Sequence, residues 1–333
     1  MSGLSSTVRT VPTGRTLQQN ARLIAGVLLL AALNGCANFV PETMALREKP
    51  PTDIKPQVEL TEVPFFPQDA YQCGPAALAT VLAHEKVPVT PAELVSQVYV
   101  PDRKGSLQVE MLAAPRRHGM VSYPLSPHLS DLLREVEAGN PVIVLQNHGI
   151  MPPFDKWHYA VVVGYDIPGE KIILRSGPHM RQVLPMGSHE YVWRKSHYWA
   201  MVAVPPDRIP ATASERGWLA ALADFERVDP AKAREGYRTF LARWPENVDA
   251  MVGLANTHYK MGDFKEAEVV LRRAQQRKPQ SVVVLNNLAQ TLSDQGRSAE
   301  ALPLAERAVT VGGPFATSAK ETRDMIRARL MLP

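Results

Sequence analysis

A cysteine stands in a local context that suits nucleophilic catalysis. Cys73 opens the stretch Cys73-Gly74-Pro75, and the residues from Ala76 to Leu82 have helical composition and apolar spacing. Pro75 fits the first turn of a helix, so Cys73 is predicted at or just before a helix N-terminus. Unpaired N–H groups and the positive end of the helix dipole stabilise a thiolate there. We therefore predict that Cys73 is a cysteine nucleophile.

A base for this thiol has to come from elsewhere in the fold. His158 begins an apolar, β-branched run that predicts a strand. The Pro-Gly pair after it predicts a turn, and the residues up to Ser176 predict a returning strand, which would bring Ser176 close to His158. Asp166 is on the same strand face but lies about 26 Å away at strand rise, too far for contact. His148, in the loop before this strand, is predicted to be exposed to solvent.

This order of residues resembles the C39-like cysteine peptidases, which are papain-fold enzymes. The resemblance implies that Cys73 is the nucleophile and that His158 is the general base and acid. It also implies a glutamine ahead of the cysteine in the oxyanion hole, which is Gln68, with Gln72 as the alternative. Where the family usually has Asp, this sequence has Ser176. Ser176 is expected to orient His158 as a neutral third member, and the other possibility is a dyad.

The resemblance covers about residues 60–205 and implies hydrolysis of peptide bonds in a peptide or protein substrate. Two alternatives stay open: a catalytically inactive C39-like scaffold that recruits a protein partner, and amide transfer by the same thiol. A thiol-reactive probe separates an enzyme from a scaffold, because only the enzyme predicts labelling of Cys73 that is lost in His158→Ala. No cofactor or metal is expected, since two cysteines without CxxC spacing and nine scattered histidines form no recognisable ligand set.

The first 35 residues predict an export signal. Residues 1–22 are polar and basic, and residues 23–33 form an apolar run too short to span a bilayer. The following Leu33-Asn34-Gly35-Cys36 resembles the lipobox of bacterial lipoproteins, which implies that Cys36 is lipidated and becomes the N-terminus. Ala37, rather than Asp, implies the outer membrane, facing the periplasm. The alternative is a plain signal peptide or short anchor with an unrelated cysteine.

The processed chain is expected to begin with a tether. Residues 36–58 carry mixed charges and four prolines, which predicts an extended segment: Pro41, Pro50, Pro51 and Pro56. Removing residues 1–35 takes three arginines from a chain of net charge +4 and leaves about +1. Charge therefore gives no argument for nucleic-acid binding.

The remaining sequence predicts two domains. Residues 59–207 predict an α+β papain-like cysteine peptidase domain, in which a short β-like segment at Val63 to Phe66 precedes Cys73. Residues 214–331 are alanine-rich and helical. Pro245 and Pro279 are about 34 residues apart, which indicates all-α tetratricopeptide-type repeats. Such repeats are expected to bind a protein partner on their concave face or to act as a structural cap.

Overall fold

The computed structural model describes residues 40–68, 72–150 and 154–331. The predicted export signal and Cys36 lie outside the described residues. The chain divides into two units, residues 1–51 and 52–333. Among the helices of the described ranges, none combines the length and apolar character that a membrane crossing requires.

The predicted extended tether over residues 36–58 is corrected by two pieces of regular structure. Pro41–Glu48 is helix α1, because Pro41 fits the first helical position and Glu42 and Arg47 complement the helix dipole at its two ends. Gln57–Glu59 is strand β1 and pairs within the sheet of the second unit.

Seven strands of the described chain form one antiparallel sheet in the order β4-β9-β5-β6-β7-β8, with β1 paired to β6. They are β1, β4 (Val121–Pro124), β5 (Val142–Asn147), β6 (Trp157–Asp166), β7 (Lys171–Ser176), β8 (His179–Pro185) and β9 (Ala200–Val204). The short strands β2 (Tyr99–Val100) and β3 (Gly105–Ser106) form a separate pair. Strand β6 lies at the centre, with β5 and β1 along one edge and β7 along the other.

Helix α2 is the central helix of this domain. It spans Cys73–His84, and every residue from Gly74 to Leu82 is buried. A helix that is apolar on all sides has to lie inside the protein. Its side chains pack with Ile143, Tyr159 and other residues of one sheet face into a single core. The other helices are α3 (Pro91–Val98), α4 (Gln108–Arg117), α5 (Leu129–Glu137) and α6 (Met186–Trp193).

The β-like segment predicted at Val63 to Phe66 is not a strand, which corrects that expectation. Pro64 and Pro67 lack the N–H group that a strand ladder needs. The carbonyl oxygens of Thr61 and Val63 instead accept hydrogen bonds from the buried guanidinium of Arg175 on β7. The segment is therefore fixed by a side chain more than 100 positions away in sequence.

The C-terminal part is a stack of antiparallel helices. The helices are α7 (Glu215–Glu226), α8 (Pro230–Arg243), α9 (Val248–Lys260), α10 (Phe264–Arg277), α11 (Val282–Asp294), α12 (Ser298–Val311) and α13 (Ala316–Met331). Asn247 and Ser281 cap corresponding helices of successive repeats. Gly262 and Gly296 turn the chain within those repeats with φ of 79° and 81°, a conformation that glycine adopts without strain.

The segment between the two domains is held by buried polar contacts. The carboxylate of Glu135, which is fully buried, accepts hydrogen bonds from the backbone N–H and the hydroxyl of Thr212 at 2.7 and 2.6 Å. Tyr123 on β4 packs edge-on against Trp218 of the first repeat helix. The predicted fold class, an α+β domain followed by all-helical repeats, is confirmed.

Candidate active site

Cys73 lies where the sequence predicts it, in the first turn of helix α2. It is a free thiol and is partly buried. The thiolate form interacts favourably with the backbone N–H groups of Tyr159, Gly74 and Cys73 itself. Because Tyr159 follows His158 directly, the sulfur lies against the start of strand β6.

His158 and Ser176 are brought into direct contact. The Nε2 atom of His158 and the Oγ atom of Ser176 are 2.9 Å apart. Strands β6 and β7 pair so that Val161 lies opposite Arg175, which places Ser176 diagonally across from His158. If the hydroxyl accepts from an Nε2–H group, the Nδ1 atom is left with a free lone pair. The ring then has the tautomer that a general base for Cys73 needs.

Gln68 approaches the same strand start. Its side-chain Nε2 donates to the carbonyl oxygen of Tyr159 at 3.5 Å, and its backbone N–H donates to the carbonyl oxygen of Gly177 at 3.4 Å. Gln72, the alternative, is the N-cap residue of α2, and its side chain makes no capping hydrogen bond. Cys73 and Gln68 thus approach the backbone of Tyr159, while Ser176 contacts the ring of His158, the residue before Tyr159.

The electrostatic environment favours a neutral thiol and a neutral imidazole. Burial raises the pKa of the Cys73 thiol and outweighs the opposing effect of the nearby N–H groups. Burial lowers the pKa of His158 to about 4, and His148 and Lys156 act in the same direction. The helix N-terminus therefore does not by itself give the thiolate that the sequence leads one to expect.

The two pKa directions fix the energetic demand on any catalysis here. Burial raises the thiol pKa and lowers the imidazole pKa to about 4, so both shifts oppose proton transfer from Cys73 to His158. An ion pair is thus sparsely populated without substrate, and proton transfer would have to accompany attack.

Two polar residues beside His158 were not recognised in the sequence. Gln146 lies directly opposite His158 across the β5–β6 pair, and the ring centroid of His148 is 5.8 Å from that of His158. His148 keeps an exposed surface, as predicted, but its Nε2 is turned inward to Gln146. Their spacing of two residues is visible in the sequence, whereas the strand register that places Gln146 opposite His158 is not.

The start of helix α2 also packs closely against Ser106 of strand β3. The hydroxyl of Tyr159 donates to the backbone carbonyl of Ser106 at 3.2 Å. The Oγ atom of Ser106 is buried without a partner among the described residues and lies against Gly74. Only a residue without a side chain fits this approach next to Cys73. Within the described ranges, no three His, Cys, Asp or Glu side chains are grouped to hold a metal ion.

Models of known protein families match the two parts of the chain separately. Residues 60–201 match the sequence model of the Peptidase_C39 like family. Residues 225–281 and 282–312 match two models of the tetratricopeptide repeat. The chain joins a C39-like peptidase domain to tetratricopeptide repeats. Cys73, His158, Gln68 and Ser176 all lie within the C39-like domain.

Solved structures similar to each part are known. The peptidase domain of Streptococcus ComA, a bi-functional ABC transporter, is 21% identical and covers 43% of this chain and 99% of its own, with a TM-score of 0.37. A double glycine motif protease from an AMS/PCAT transporter is 25% identical and covers 44% and 93%, with a TM-score of 0.35. The TPR2B domain of yeast Sti1 is 20% identical and covers 34% and 94%, with a TM-score of 0.32. No curated protein sequence matches the chain.

Proposed function

We propose that the chain is a cysteine peptidase of the bacterial envelope that hydrolyses peptide bonds through Cys73 and His158. The observation that carries this proposal is the convergence of the Cys73 sulfur, the Gln68 amide and the His158–Ser176 pair on the start of strand β6. A nucleophile, a base, an orienting group and an oxyanion donor are the parts that acyl transfer needs.

In the proposed reaction, Nδ1 of His158 takes the thiol proton as the sulfur attacks the substrate carbonyl carbon. The Gln68 side-chain amide and the Cys73 backbone N–H, which helix geometry leaves unbonded, stabilise the oxyanion. His158 then gives its proton to the leaving amine, and the C–N bond breaks to leave a thioester. Water, deprotonated by the same ring, hydrolyses the thioester and restores the thiol.

The test is to look for new protein termini. The full chain, with Cys36→Ser to keep it off the membrane, is incubated with a periplasmic extract, and new N-termini are identified by mass spectrometry. We expect cleavage products that are absent with the additional change Cys73→Ala. Equal sets of termini with and without that change would contradict a peptidase, and modified glutamines without new termini would indicate amide transfer.

A second function, an inactive scaffold, is favoured by one observation: burial opposes both charged forms that thiol catalysis uses. Alkylation of Cys73 by iodoacetamide at neutral pH separates the two. In an enzyme the rate falls in His158→Ala, because the ring assists deprotonation of the thiol. In a scaffold the rate is slow and unaffected by that change.

The proposal includes a membrane anchor and a bound protein. Cys36 would carry acyl chains that hold the domains at the outer membrane, facing the periplasm. The change Cys36→Ser is expected to move the protein from the membrane fraction to the soluble one and to remove the acyl mass. Persistence in the membrane fraction would contradict lipidation. The repeats would recruit a protein segment, as stacked helical repeats do on their concave face.

A further inference from the structure

A second histidine is built into the surroundings of His158. The rings of His148 and His158 meet edge to face, with centroids 5.8 Å apart and planes at 61°. Gln146 pairs with His158 across the strands, and His148 follows two residues later, directly after the end of β5. The backbone N–H of His148 donates to the carbonyl of Lys156 at 2.9 Å, which holds the two strand ends together. The hairpin itself therefore sets one ring against the other.

His148 is anchored from below by buried groups. Its Nε2 lies 3.0 Å from Oε1 of Gln146, and the Nε2 of Gln146 lies 3.0 Å from Nδ1 of His189. Gln146 is 1% exposed and His189 is fully buried. His189 also stacks on Trp193, which is itself fully buried. The chain of contacts thus runs from the protein core to the ring beside His158.

The hydrogen bonds of Gln146 determine which ring nitrogen of His148 and of His189 carries the proton. An amide oxygen only accepts and an amide nitrogen only donates, so His148 carries its proton on Nε2. His189 accepts at Nδ1 and therefore carries its own proton on Nε2. That Nε2 is buried and has no partner among the residues described. A buried donor without a partner is unfavourable, and a purely packing role for these residues would not require one.

The contacts from His189 through Gln146 to His148 can help to orient the His158 ring. Among the described residues, that ring hydrogen-bonds through Nε2 to Ser176, a contact that fixes that atom only. The ring of His148 packs against the His158 ring and limits its rotation on that side. Burial, Lys156 and Lys195 lower the pKa of His148, so His148 places no positive charge against a protonated His158 at neutral pH.

We propose that His148, held by Gln146 and His189, is a positioning residue that keeps the His158 ring aligned for the Cys73 thiol. This inference rests on the proposed function and adds a residue to it. It compensates for the serine at the third position, because a hydroxyl gives less directional support to the ring than a carboxylate.

The test uses the full chain with Cys36→Ser, so that Cys73 is the only thiol. The rate of Cys73 alkylation by iodoacetamide is measured at pH 7.5, together with ¹⁵N NMR of the histidine rings. His148→Ala is expected to lower the rate roughly tenfold or more, as misplacement of a catalytic group does, and to mix the two tautomers of His158. His148→Phe keeps a ring edge and should retain a higher rate than the alanine variant. His118→Ala, which removes a half-buried histidine at the C-terminal end of helix α4, should change neither readout.

The outcomes separate this inference from the proposed function. If His158→Ala leaves the alkylation rate unchanged, the proposed function fails, whatever His148 does. If His158→Ala slows alkylation but His148→Ala leaves rate and tautomer unchanged, the positioning role alone is overturned. Should His148→Ala fail to fold, the phenylalanine variant decides, since a single His158 tautomer and a rate above that of His158→Ala are then required.

Discussion

Replacing Ser176 by aspartate should make His158 a stronger base. The Ser176 oxygen lies 2.9 Å from Nε2 of His158, and the residue is 8% exposed, so a carboxylate oxygen introduced here faces the ring with little water between them. An opposite charge within about 4–6 Å favours the charged form by about 1–3 pKa units. From its present value of about 4, the His158 pKa is expected to rise to between about 5 and 7.

This rise brings the pKa of His158 closer to that of the Cys73 thiol, so proton transfer between them becomes less unfavourable. Each pKa unit corresponds to about 1.4 kcal/mol, so the imidazolium gains about 1.4–4 kcal/mol and the ion pair becomes about 10- to 1000-fold more populated. Alkylation of Cys73 at pH 7.5 should accelerate accordingly. The assay is the pH dependence of that rate in the Cys36→Ser background, with an NMR titration of the His158 ring.

The matched control is Ser176→Asn, which has the shape of aspartate without its charge. We expect the asparagine variant to leave the His158 pKa near 4. Equal rates and equal pKa values in the two variants would refute the electrostatic reasoning. So would a His158 pKa that stays near 4 in Ser176→Asp while the aspartate titrates above neutral pH, because the carboxyl would then remain protonated.

Three further predictions concern stability. Gly74→Ala should lower the free energy of unfolding, measured in urea, by about 1–3 kcal/mol. The added Cβ would lie 2.2 Å from Oγ and 2.7 Å from Cβ of Ser106. The control Gly105→Ala, whose nearest contact would be at 3.8 Å, should lower it less. The buried His189 has a pKa of about 3 against an ordinary 6.5, so it stays neutral while the unfolded chain takes up its proton. The folded state should therefore lose about 3 kcal/mol through this residue between pH 7.5 and 4.5, and His189→Gln should flatten that slope. Glu135→Gln should lower the free energy of unfolding by about 1–3 kcal/mol. One carboxylate oxygen accepts from Thr212 and the other accepts from Nδ2 of Asn140, so the new amide nitrogen must face a donor on one of the two sides. A change below about 0.5 kcal/mol, the usual bound for surface sites, would contradict this.

The local elements of the site were accessible from sequence because their signals are local. The Cys73-Gly74-Pro75 start of α2 and the strand beginning near His158 depend on neighbours within a few residues. The contact of Ser176 with His158 followed from a hairpin, whose register is constrained by its short turn. Gly262 and Gly296 have the same separation in the sequence as Pro245 and Pro279, so the repeat period places both at equivalent turns.

The rest of the site depends on contacts that no local pattern encodes. Gln146 lies beside His158 through a pairing whose register is set by the burial of whole strands. Arg175 holds the segment before Gln68 through carbonyl groups more than 100 residues away in sequence. The pKa of Cys73 was misjudged for the same reason, since the helix N-terminus can be read from sequence while the burial that outweighs it cannot.

Helix α4 contacts both the candidate site and the repeats. Helix α4 begins just after Ser106, and its Met111 lies beneath Gly74 next to Cys73. At the other end of α4, Arg116 forms a 3.0 Å ion pair with Asp224 of the first repeat helix. The cysteine side of the domain and the first repeat helix therefore contact the same helix. The buried packing of Tyr123 against Trp218 holds the same repeat helix to the sheet, so the repeats are fixed to the domain by side-chain contacts as well as by the connecting chain.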